Sequence, residues 1–373
     1  MRHPKHHIFS MGETRLRSWC EEHGMPGFRA SQIANWVFEH RLADPSDWTN
    51  LSAADRESVR KSLTILSGRT VDHQLATDGT QKLLVEWSDD RQPGPGMLPI
   101  VGQPDRVDRQ TECVMIPSLD ASSNRRTACI SSQVGCPVGC RFCASGLSGL
   151  DGNLSSGRIV EQVWRLDRLP GVGRISNVVF MGMGEPLSNF NAVTDAIRVL
   201  VAPKPWGMGI GSRKITVSTV GLPQYINRLA DQFDVPVTLA LSLHATTDDL
   251  RRQLIPWAGY TTISELFDAC TAWFEKTGRE ITLEYTLLGG TNDSPAQAGE
   301  LADLAKSLRA NVNLIRYNEV GGLSFRRPKD AAVRQFQDVL RKRGVNVHIR
   351  ASRGRDIAAA CGQLRHEHAQ GPA

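Results

Sequence analysis

From residue 127 onward, short apolar runs typical of β-strands alternate with longer segments whose apolar residues recur at helical spacing. Repeated β–α units of this kind predict an α/β fold, in which a parallel sheet is covered by helices and is either open or curled into a barrel. In such folds the chemistry is expected at the carboxyl ends of the strands. The predicted strands are 128–131, 177–181, 214–218, 237–243, 281–287, 312–316 and 345–349, and the predicted helices include 155–169, 192–200, 263–276, 295–309 and 331–343.

Around this core the composition of the chain changes. A region with helical spacing covers residues 12–68. Two short predicted strands, 70–75 and 81–87, follow it. At the other end, a short helical piece precedes a polar, His-rich tail. The predicted division is therefore a small, mainly helical N-terminal domain (1–90), a Pro- and Gly-rich linker and loop (91–125), the core (126–350) and a C-terminal segment (351–373).

The bulk properties exclude some classes of protein. No uninterrupted apolar stretch approaches the length of a membrane span, and no apolar run follows the basic N-terminus, so neither a membrane protein nor a secreted one is expected. We expect a cytoplasmic protein. A net charge of +5 and a pI of about 8.8 permit a polyanionic partner without demanding one.

The chain has eight cysteines, and three of them lie in one short loop after the first predicted core strand. In a reducing compartment, clustered cysteines indicate metal binding or catalysis rather than disulfides. Thiolates are the usual ligands of iron–sulfur clusters, and Cys136, Cys140 and Cys143 have the spacing C-x3-C-x2-C. A zinc site is the alternative, but zinc loops usually carry paired C-x2-C units, and the sequence has no second pair. A [4Fe-4S] cluster with three protein ligands would keep one iron open.

The three-cysteine loop, with an aromatic residue before its last Cys, resembles the CxxxCxΦC motif of the radical S-adenosylmethionine superfamily. The resemblance implies a partial (β/α)6 barrel with the cluster loop after the first strand. It also implies that the open iron binds the amino and carboxylate groups of S-adenosylmethionine and passes an electron to its sulfonium. The number and placement of the strands predicted above agree with that fold.

A narrower resemblance covers nearly the whole chain. Several strings, in order, are similar to the RlmN/Cfr family of RNA adenine methyltransferases, which act on 23S rRNA and, in the RlmN branch, also on tRNA. They are FRASQIANW (28–36), TNLS (49–52), CISSQVGC (129–136), MGMGEP (181–186), SLH (242–244), NLIRYN (313–318) and DIAAACGQL (356–364).

This resemblance implies a role for individual residues. Cys361 would accept a methyl group from a first S-adenosylmethionine, and a radical made from a second would take a hydrogen from that methyl. The methylene then adds to the base as a covalent protein–RNA intermediate, which Cys129 resolves by forming a disulfide with Cys361, with Glu112 as general base. The implied cofactor-binding positions are Gly184, Glu185, Ser218, Ser242, Leu243, His244 and Asn318.

The resemblance also implies partners: an electron donor such as flavodoxin or ferredoxin, and RNA docked on the N-terminal domain of a monomer. The carbon attacked is ambiguous. Arg316-Tyr317 is similar to the C8-methylating Cfr branch, whereas Glu185-Pro186 is similar to the C2-methylating RlmN branch. We predict C2 methylation, with C8 as the alternative.

Without these strings the same residues have ordinary explanations. Cys129 and Cys361 would be small core residues, Glu112 a solvated loop acid and His244 a structural histidine. Two other classes remain. A radical enzyme acting on a peptide or small molecule would not need Cys129 and Cys361 together, and a non-catalytic metal-containing RNA-binding protein would not need the cofactor positions. Cys20, Cys113 and Cys270 match nothing functional and are predicted to be structural.

Overall fold

The structure, a computed structural model, describes residues 1–88, 109–118, 120, 122–147 and 149–364. Most of the predicted linker and the His-rich tail lie outside the described residues. The strands are β1 (Gly68–Leu75), β2 (Gln81–Trp87), β3 (Arg109–Pro117), β4 (Arg126–Cys129), β5 (Gln133–Gly135), β6 (Leu150–Asn153), β7 (Asn177–Phe180), β8 (Ile215–Thr219), β9 (Thr238–Ser242), β10 (Thr282–Leu287), β11 (Asn311–Arg316) and β12 (Val347–Arg350).

Eleven α-helices are found in the same described residues. They are α1 (Glu13–Glu22), α2 (Arg29–Ala34), α3 (Ala53–Ser62), α4 (Ala144–Leu147), α5 (Ser156–Asp167), α6 (Phe190–Val201), α7 (Pro223–Gln232), α8 (Asp248–Leu254), α9 (Ile263–Thr277), α10 (Pro295–Ser307) and α11 (Asp330–Lys342). Within this part of the chain, no helix has both the length and the apolar character needed to cross a membrane.

One sheet organises the molecule. Its strand order is β1-β2-β3-β4-β7-β8-β9-β10-β11-β12 across the described residues, with β5 and β6 paired separately. From β4 to β12 the neighbours are parallel and follow chain order, while β1 to β4 form an antiparallel meander. The predicted α/β fold is confirmed: parallel strands alternate with helices after a mainly helical N-terminal region, as in a partial barrel.

Local sequence explains where the core helices begin. A hydroxyl side chain accepts a hydrogen bond from the third backbone N–H of the helix at Ser155, Thr247, Thr262 and Ser294. At Thr262 and Ser294 the third helical residue also bonds back to the cap, which completes a capping box. Three of these helices, α5, α8 and α10, begin after a strand–helix loop, whereas α9 follows α8.

The structure corrects the interpretation of 109–117 as loop, because these residues form β3. The strand was missed because its first half is polar: Arg109, Gln110, Thr111 and Glu112 are all buried. Each of these polar side chains has a partner: Glu86 for Gln110 at 3.2 Å and the Trp87 indole for Thr111 at 2.9 Å on β2, Lys82 for Glu112 on the same strand, and Asp151 of β6 for Arg109. The partners lie in other segments of the chain, so the sequence of this strand alone does not indicate that its polar residues are buried.

The N-terminal helical region packs directly on the core. The indole Nε1 of Trp164 in α5 donates a hydrogen bond to the Val37 carbonyl at 2.8 Å, and the Phe9 ring lies 5.7 Å from the Trp164 ring. Beyond this region, β1 and β2 join the main sheet through β3, with Leu84 opposite Glu112. The division at residue 90 stays a prediction, but the sheet extends across that position.

Candidate active site

The three-cysteine loop curls tightly after β5. Gly135 and Gly139 have φ of 72° and 69°, and a Cβ on Gly135 would lie 2.0 Å from the Gly149 carbonyl oxygen, so the first turn requires glycine. The loop brings all three cysteines to a single cavity of about 160 Å³, which we call the cluster cavity. Its lining includes Cys136, Cys140, Cys143, Gly184, Glu185, Ser218, Ser242, His244, Arg350 and Cys361.

The loop's thiols fit a multinuclear metal group. Burial raises the pKa of Cys136 to about 12 and the pKa of Cys140 and Cys143 above the ordinary value, and the thiols further raise one another's. A strongly cationic centre is therefore needed to hold them as thiolates. In the part of the chain described here, no three His, Cys, Asp or Glu side chains are grouped closely enough to bind one metal ion. Three thiols around one cavity are a donor set that could hold a [4Fe-4S] cluster with one iron left open.

A polar shelf faces the loop from the carboxyl ends of β7, β8 and β9. The Glu185 carboxylate accepts hydrogen bonds from the Leu187 N–H at 2.9 Å, the Thr219 hydroxyl at 2.8 Å and the Val220 N–H at 2.8 Å. Burial raises the pKa of Glu185 to about 7, although the three hydrogen bonds act to lower it. The Ser218 and Ser242 hydroxyl oxygens lie 3.3 Å apart beside it. The shelf offers both hydrogen-bond donors and acceptors to a polar ligand.

His244 is held in one tautomer. Its Nδ1 accepts a hydrogen bond from the Thr286 N–H at 3.0 Å, and burial lowers its pKa to about 3. The neutral ring therefore carries its proton on Nε2 and can act as a donor there. The ring meets Phe142 of the cysteine loop edge-on, with centroids 5.1 Å apart. Leu243, which the resemblance implied as a cofactor-binding position, is fully buried in the hydrophobic core, and it is not among the residues that line the cluster cavity.

A second cavity of about 510 Å³ adjoins the first, and we call it the outer cavity. This volume is within the range of ligand-binding pockets. Cys129 lines it, as does Asn318, whose amide nitrogen lies 3.3 Å from the Cys361 carbonyl oxygen. Four residues line both cavities: Met181, Ile315, Arg350 and Cys361. Cys361 therefore lies where the two cavities meet, and Cys129 faces the outer one.

Sequence reasoning missed Arg350, which belongs to a basic run interpreted as a solvated surface. Its guanidinium lies 3.5 Å from the Glu284 carboxylate across the sheet. Burial opposes its charge, but Cys361, Glu284 and Cys129 together raise its pKa. Burial raises the pKa of the Cys129 thiol to about 12, and Arg350 acts against that rise. Arg350 thus favours the thiolate of Cys129, and it lines both cavities together with Cys361.

Glu112 lies near Cys129, although it lines neither cavity. Val114 pairs with Cys129 across β3 and β4, so Glu112, two residues earlier, projects from the same face of the sheet. The carboxylate is buried, unlike the solvated loop acid that was its ordinary alternative explanation, and it lies 2.7 Å from the Lys82 ammonium. Cys20, Cys113 and Cys270 are buried in the hydrophobic core, apart from both cavities.

Two family models match separate parts of the chain. The Radical SAM superfamily model matches residues 130–302, and the model described as "Ribosomal RNA large subunit methyltransferase N-terminal domain" matches residues 7–65. The first includes the cysteine loop and the polar shelf. The second coincides with the N-terminal helices.

The chain is also similar to whole proteins. It is 40% identical to a probable dual-specificity RNA methyltransferase RlmN of Rhodopirellula baltica, over 97% of this chain and 91% of that one. It is 42% identical to the protein of the same name from Gloeobacter violaceus, over 98% and 97%. Among solved structures, a radical SAM methyltransferase from Sphaerobacter thermophilus superimposes with a TM-score of 0.87 at 38% identity, covering 96% of this chain and 99% of that one.

Proposed function

Because this chain belongs to the RlmN family of radical S-adenosylmethionine RNA methyltransferases, we propose that it methylates C2 of an adenosine in 23S rRNA, and of one in tRNA, through a methylated Cys361. The words "dual-specificity" in the names of its relatives support two RNA substrates. Each turnover would consume two S-adenosylmethionine molecules. We propose that the enzyme works as a cytoplasmic monomer, with flavodoxin or ferredoxin as its electron donor.

One observation carries this proposal: Cys361 lines both the cluster cavity and the outer cavity, while Cys129 faces the outer one. A group that must receive a methyl from the cofactor and deliver it to a base needs access to both compartments. A radical enzyme for a small molecule would need one cavity and no second thiol beside it. The arrangement therefore favours relay through Cys361.

The cofactors would occupy the cluster cavity. Cys136, Cys140 and Cys143 would hold the cluster, and the shelf formed by Gly184, Glu185 and the two serines would orient S-adenosylmethionine. When bound, the cluster and S-adenosylmethionine supply an electron and a carbon radical able to remove a hydrogen atom from a methyl group. Of the shelf residues, Glu185 is buried, so its carboxylate is shielded from water.

The remaining steps fall to the protein's own side chains. In the first, the Cys361 sulfur attacks the methyl of the sulfonium, so that a new S–CH3 bond forms as the old one breaks. The attacking species is a thiolate, and the Arg350 side chain lines the same two cavities as Cys361. Because C2 of adenine is a poor nucleophile, it cannot take the methyl from the sulfonium directly, which is why a carrier cysteine is needed.

Release of the product requires a second thiol and a base. The radical adduct formed when the methylene adds to the base must lose one proton and one electron: we propose that Glu112 accepts the proton that leaves the attacked carbon, and the cluster, when bound, would take up the electron. The Cys129 sulfur then bonds to the Cys361 sulfur, the carbon–sulfur bond to the RNA breaks, and the carbon keeps the electron pair and takes a proton to become methyl. The resulting disulfide must be reduced before the next turnover. All eight cysteines are free in the structure, so both thiols are ready for this cycle.

Loss of the loop cysteines should remove the cluster. The purified anaerobic protein is expected to be brown, and replacing Cys136, Cys140 and Cys143 with Ala should abolish that absorbance and its iron, because no other ligands remain in the loop. Iron and sulfide analysis with visible spectroscopy measures this. Replacing Cys20, Cys113 and Cys270 with Ala is the matched control, which should stay brown. A colourless, zinc-loaded wild-type protein would contradict the cluster assignment.

We propose that RNA docks on the N-terminal helices, where the side chains of Arg60 and Lys61 in α3 are 51% and 71% exposed. Reversing both to Glu should weaken RNA binding by about 10-fold and lower the salt dependence of affinity, since each phosphate contact releases counterions. Equilibrium binding at several salt concentrations measures this. The same reversal at Arg341 and Lys342 of α11 is the control. Unchanged affinity would refute docking on this surface.

Mass spectrometry of nucleosides tests the reaction itself. Digested rRNA and tRNA from cells with and without the gene should differ by a methyladenosine that co-elutes with authentic 2-methyladenosine. Methylation at C8 is the second candidate, supported by Arg316-Tyr317, of which Tyr317 lines the cluster cavity. Co-elution with 8-methyladenosine would select it. A digest with no change in either methyladenosine would refute RNA methylation of these substrates.

A further inference from the structure

The segment that carries Cys361 has little regular structure to hold it. Residues 351–364, which we call the C-terminal strap, contain one short 3₁₀ turn, Arg355–Ile357, and not the helical piece that the sequence predicted. The strap turns sharply at Gly354, Ala358 and Gly362, with φ of 62°, 48° and 84°. A segment with so few internal hydrogen bonds is positioned by its contacts with other parts of the protein.

Downstream of Cys361, the strap is fixed to the cluster loop. The Ala144 N–H, next to Cys143, donates a hydrogen bond to the Gly362 carbonyl at 2.8 Å. The Ser145 hydroxyl donates to the Leu364 carbonyl at 2.6 Å. These bonds determine where the strap ends, but they leave its upstream half, and therefore the direction of Cys361, to be fixed elsewhere.

Upstream, the strap is fixed to the turn between β1 and β2. The Asp78 carboxylate accepts a hydrogen bond from the Gly354 N–H at 3.0 Å and lies 3.5 Å from the Arg353 guanidinium. In the reverse direction, the Asp356 carboxylate accepts from the Thr77 N–H at 2.9 Å. The contact is close, because a Cβ on Gly354 would lie 2.9 Å from the Thr80 methyl group. The turn and the strap therefore bind each other reciprocally.

The same hairpin also reaches Glu112. The Lys82 ammonium in β2 lies 2.7 Å from the Glu112 carboxylate and 3.5 Å from the Ala358 carbonyl, three residues before Cys361. The side chains of Lys82 and Glu112 are 8% and 7% exposed. A buried ion pair of this kind is geometrically demanding, since either charge alone would be strongly destabilised. Lys82 thus ties the predicted base to the strap.

We propose that Asp78 and Lys82 are positioning residues for the methyl relay: the β1–β2 hairpin holds the strap so that Cys361 faces Cys129 and both cavities. This inference rests on the proposed function and gives the hairpin a role inside the active site rather than in RNA docking. Small misplacements of reacting groups strongly reduce reaction rates. Loosening the hairpin should therefore uncouple radical formation from methyl delivery while leaving the cluster and RNA affinity intact.

The first measurement is independent of turnover. The full-length, cluster-loaded protein is equilibrated anaerobically with mixtures of reduced and oxidised glutathione, and the Cys129–Cys361 disulfide is quantified by peptide mass spectrometry. Each disulfide formed consumes one oxidised glutathione and releases two reduced ones. Asp78→Ala and Lys82→Met should lower the effective concentration of the two thiols by about 10-fold. Asp72→Ala, an exposed carboxylate on β1, is the matched control and should match the wild type.

The second measurement is the ratio of methylated adenosine to 5′-deoxyadenosine. Asp78→Ala and Lys82→Met should lower this ratio by about 10-fold at unchanged RNA affinity. Lys82→Arg, which keeps the charge, should retain most of the coupling that Lys82→Met loses. If Asp78→Ala does not fold, Asp356→Ala breaks the same junction from its exposed side. Wild-type disulfide formation and coupling in these variants, or a loss confined to RNA affinity, would overturn the inference.

Different results would refute the proposed function and the positioning role. Absence of methylated Cys361 and of a Cys129–Cys361 disulfide in the wild-type protein would refute the proposed function. Presence of both in the wild type, with no change in the hairpin variants, would refute only the positioning role.

Discussion

Cys129→Ala is expected to trap the enzyme on its RNA. The variant keeps the cluster loop, the shelf and Cys361, so methyl transfer to Cys361 and attack on the base should proceed. Resolution should then stop, because Cys129 and Cys361 are the two thiols among the lining residues of the outer cavity, and the thioether of Met181 cannot form a disulfide. Turnover should fall by about 1,000-fold or more, as for other residues that act as a unit in covalent catalysis.

A covalent complex is the diagnostic product of this variant. Denaturing gels should show a protein–RNA band that is sensitive to nuclease, and peptide mass spectrometry should locate the nucleotide on Cys361. Cys113→Ala is the matched control: Cys113 is buried on β3, next to the residue that pairs with Cys129, but it lines neither cavity. Normal methylation by Cys129→Ala, without the covalent band, would disprove the two-cysteine mechanism.

Cys361→Ala should abolish RNA methylation while leaving the cluster in place. The cysteine lines the cluster cavity, yet it lies far from the three-cysteine loop in the chain and is not one of its ligands in our assignment. The variant should therefore remain brown with wild-type iron content. Methylation should fall by at least about 1,000-fold, because no carrier is left and C2 cannot attack the sulfonium itself.

Two comparisons make this prediction specific. Cys140→Ala should lose both colour and activity, whereas Cys361→Ala loses activity alone. The double variant Cys129→Ala with Cys361→Ala should form no covalent complex, since removing the carrier removes the step that Cys129 resolves. A Cys361→Ala protein that has lost its iron would make Cys361 a cluster ligand, and one that still methylates RNA would eliminate it as the carrier.

The sequence predicted the local features well because each depends on neighbouring residues. The spacing of Cys136, Cys140 and Cys143 indicated one loop, and the structure brings all three to one cavity. Helix starts such as Thr262 and Ser294 lie where hydroxyl caps precede apolar periodicity. The parallel strand order followed from alternation of strands and helices. None of these inferences required knowledge of a contact between distant segments.

The interpretations that were wrong concern residues whose surroundings are set by contacts with distant segments. β3 was interpreted as loop because its polar side chains find partners on β2 and elsewhere, which a linear sequence does not reveal. Arg350 was placed on the surface, although Glu284 and two thiols surround it. In each case the decisive partner is remote in the chain.

The sequence by itself determined the fold class and the cluster loop, because strand–helix periodicity and cysteine spacing act over a few residues. Only the tertiary structure decided that Cys361 lies between two cavities, that Arg350 lies beside both relay thiols and that a hairpin from the N-terminal region holds the strap. Those facts depend on a sheet that begins at β1 and ends at β12, immediately before the strap. Sheet pairing joins segments that no local pattern connects, and the proposed chemistry takes place where they meet.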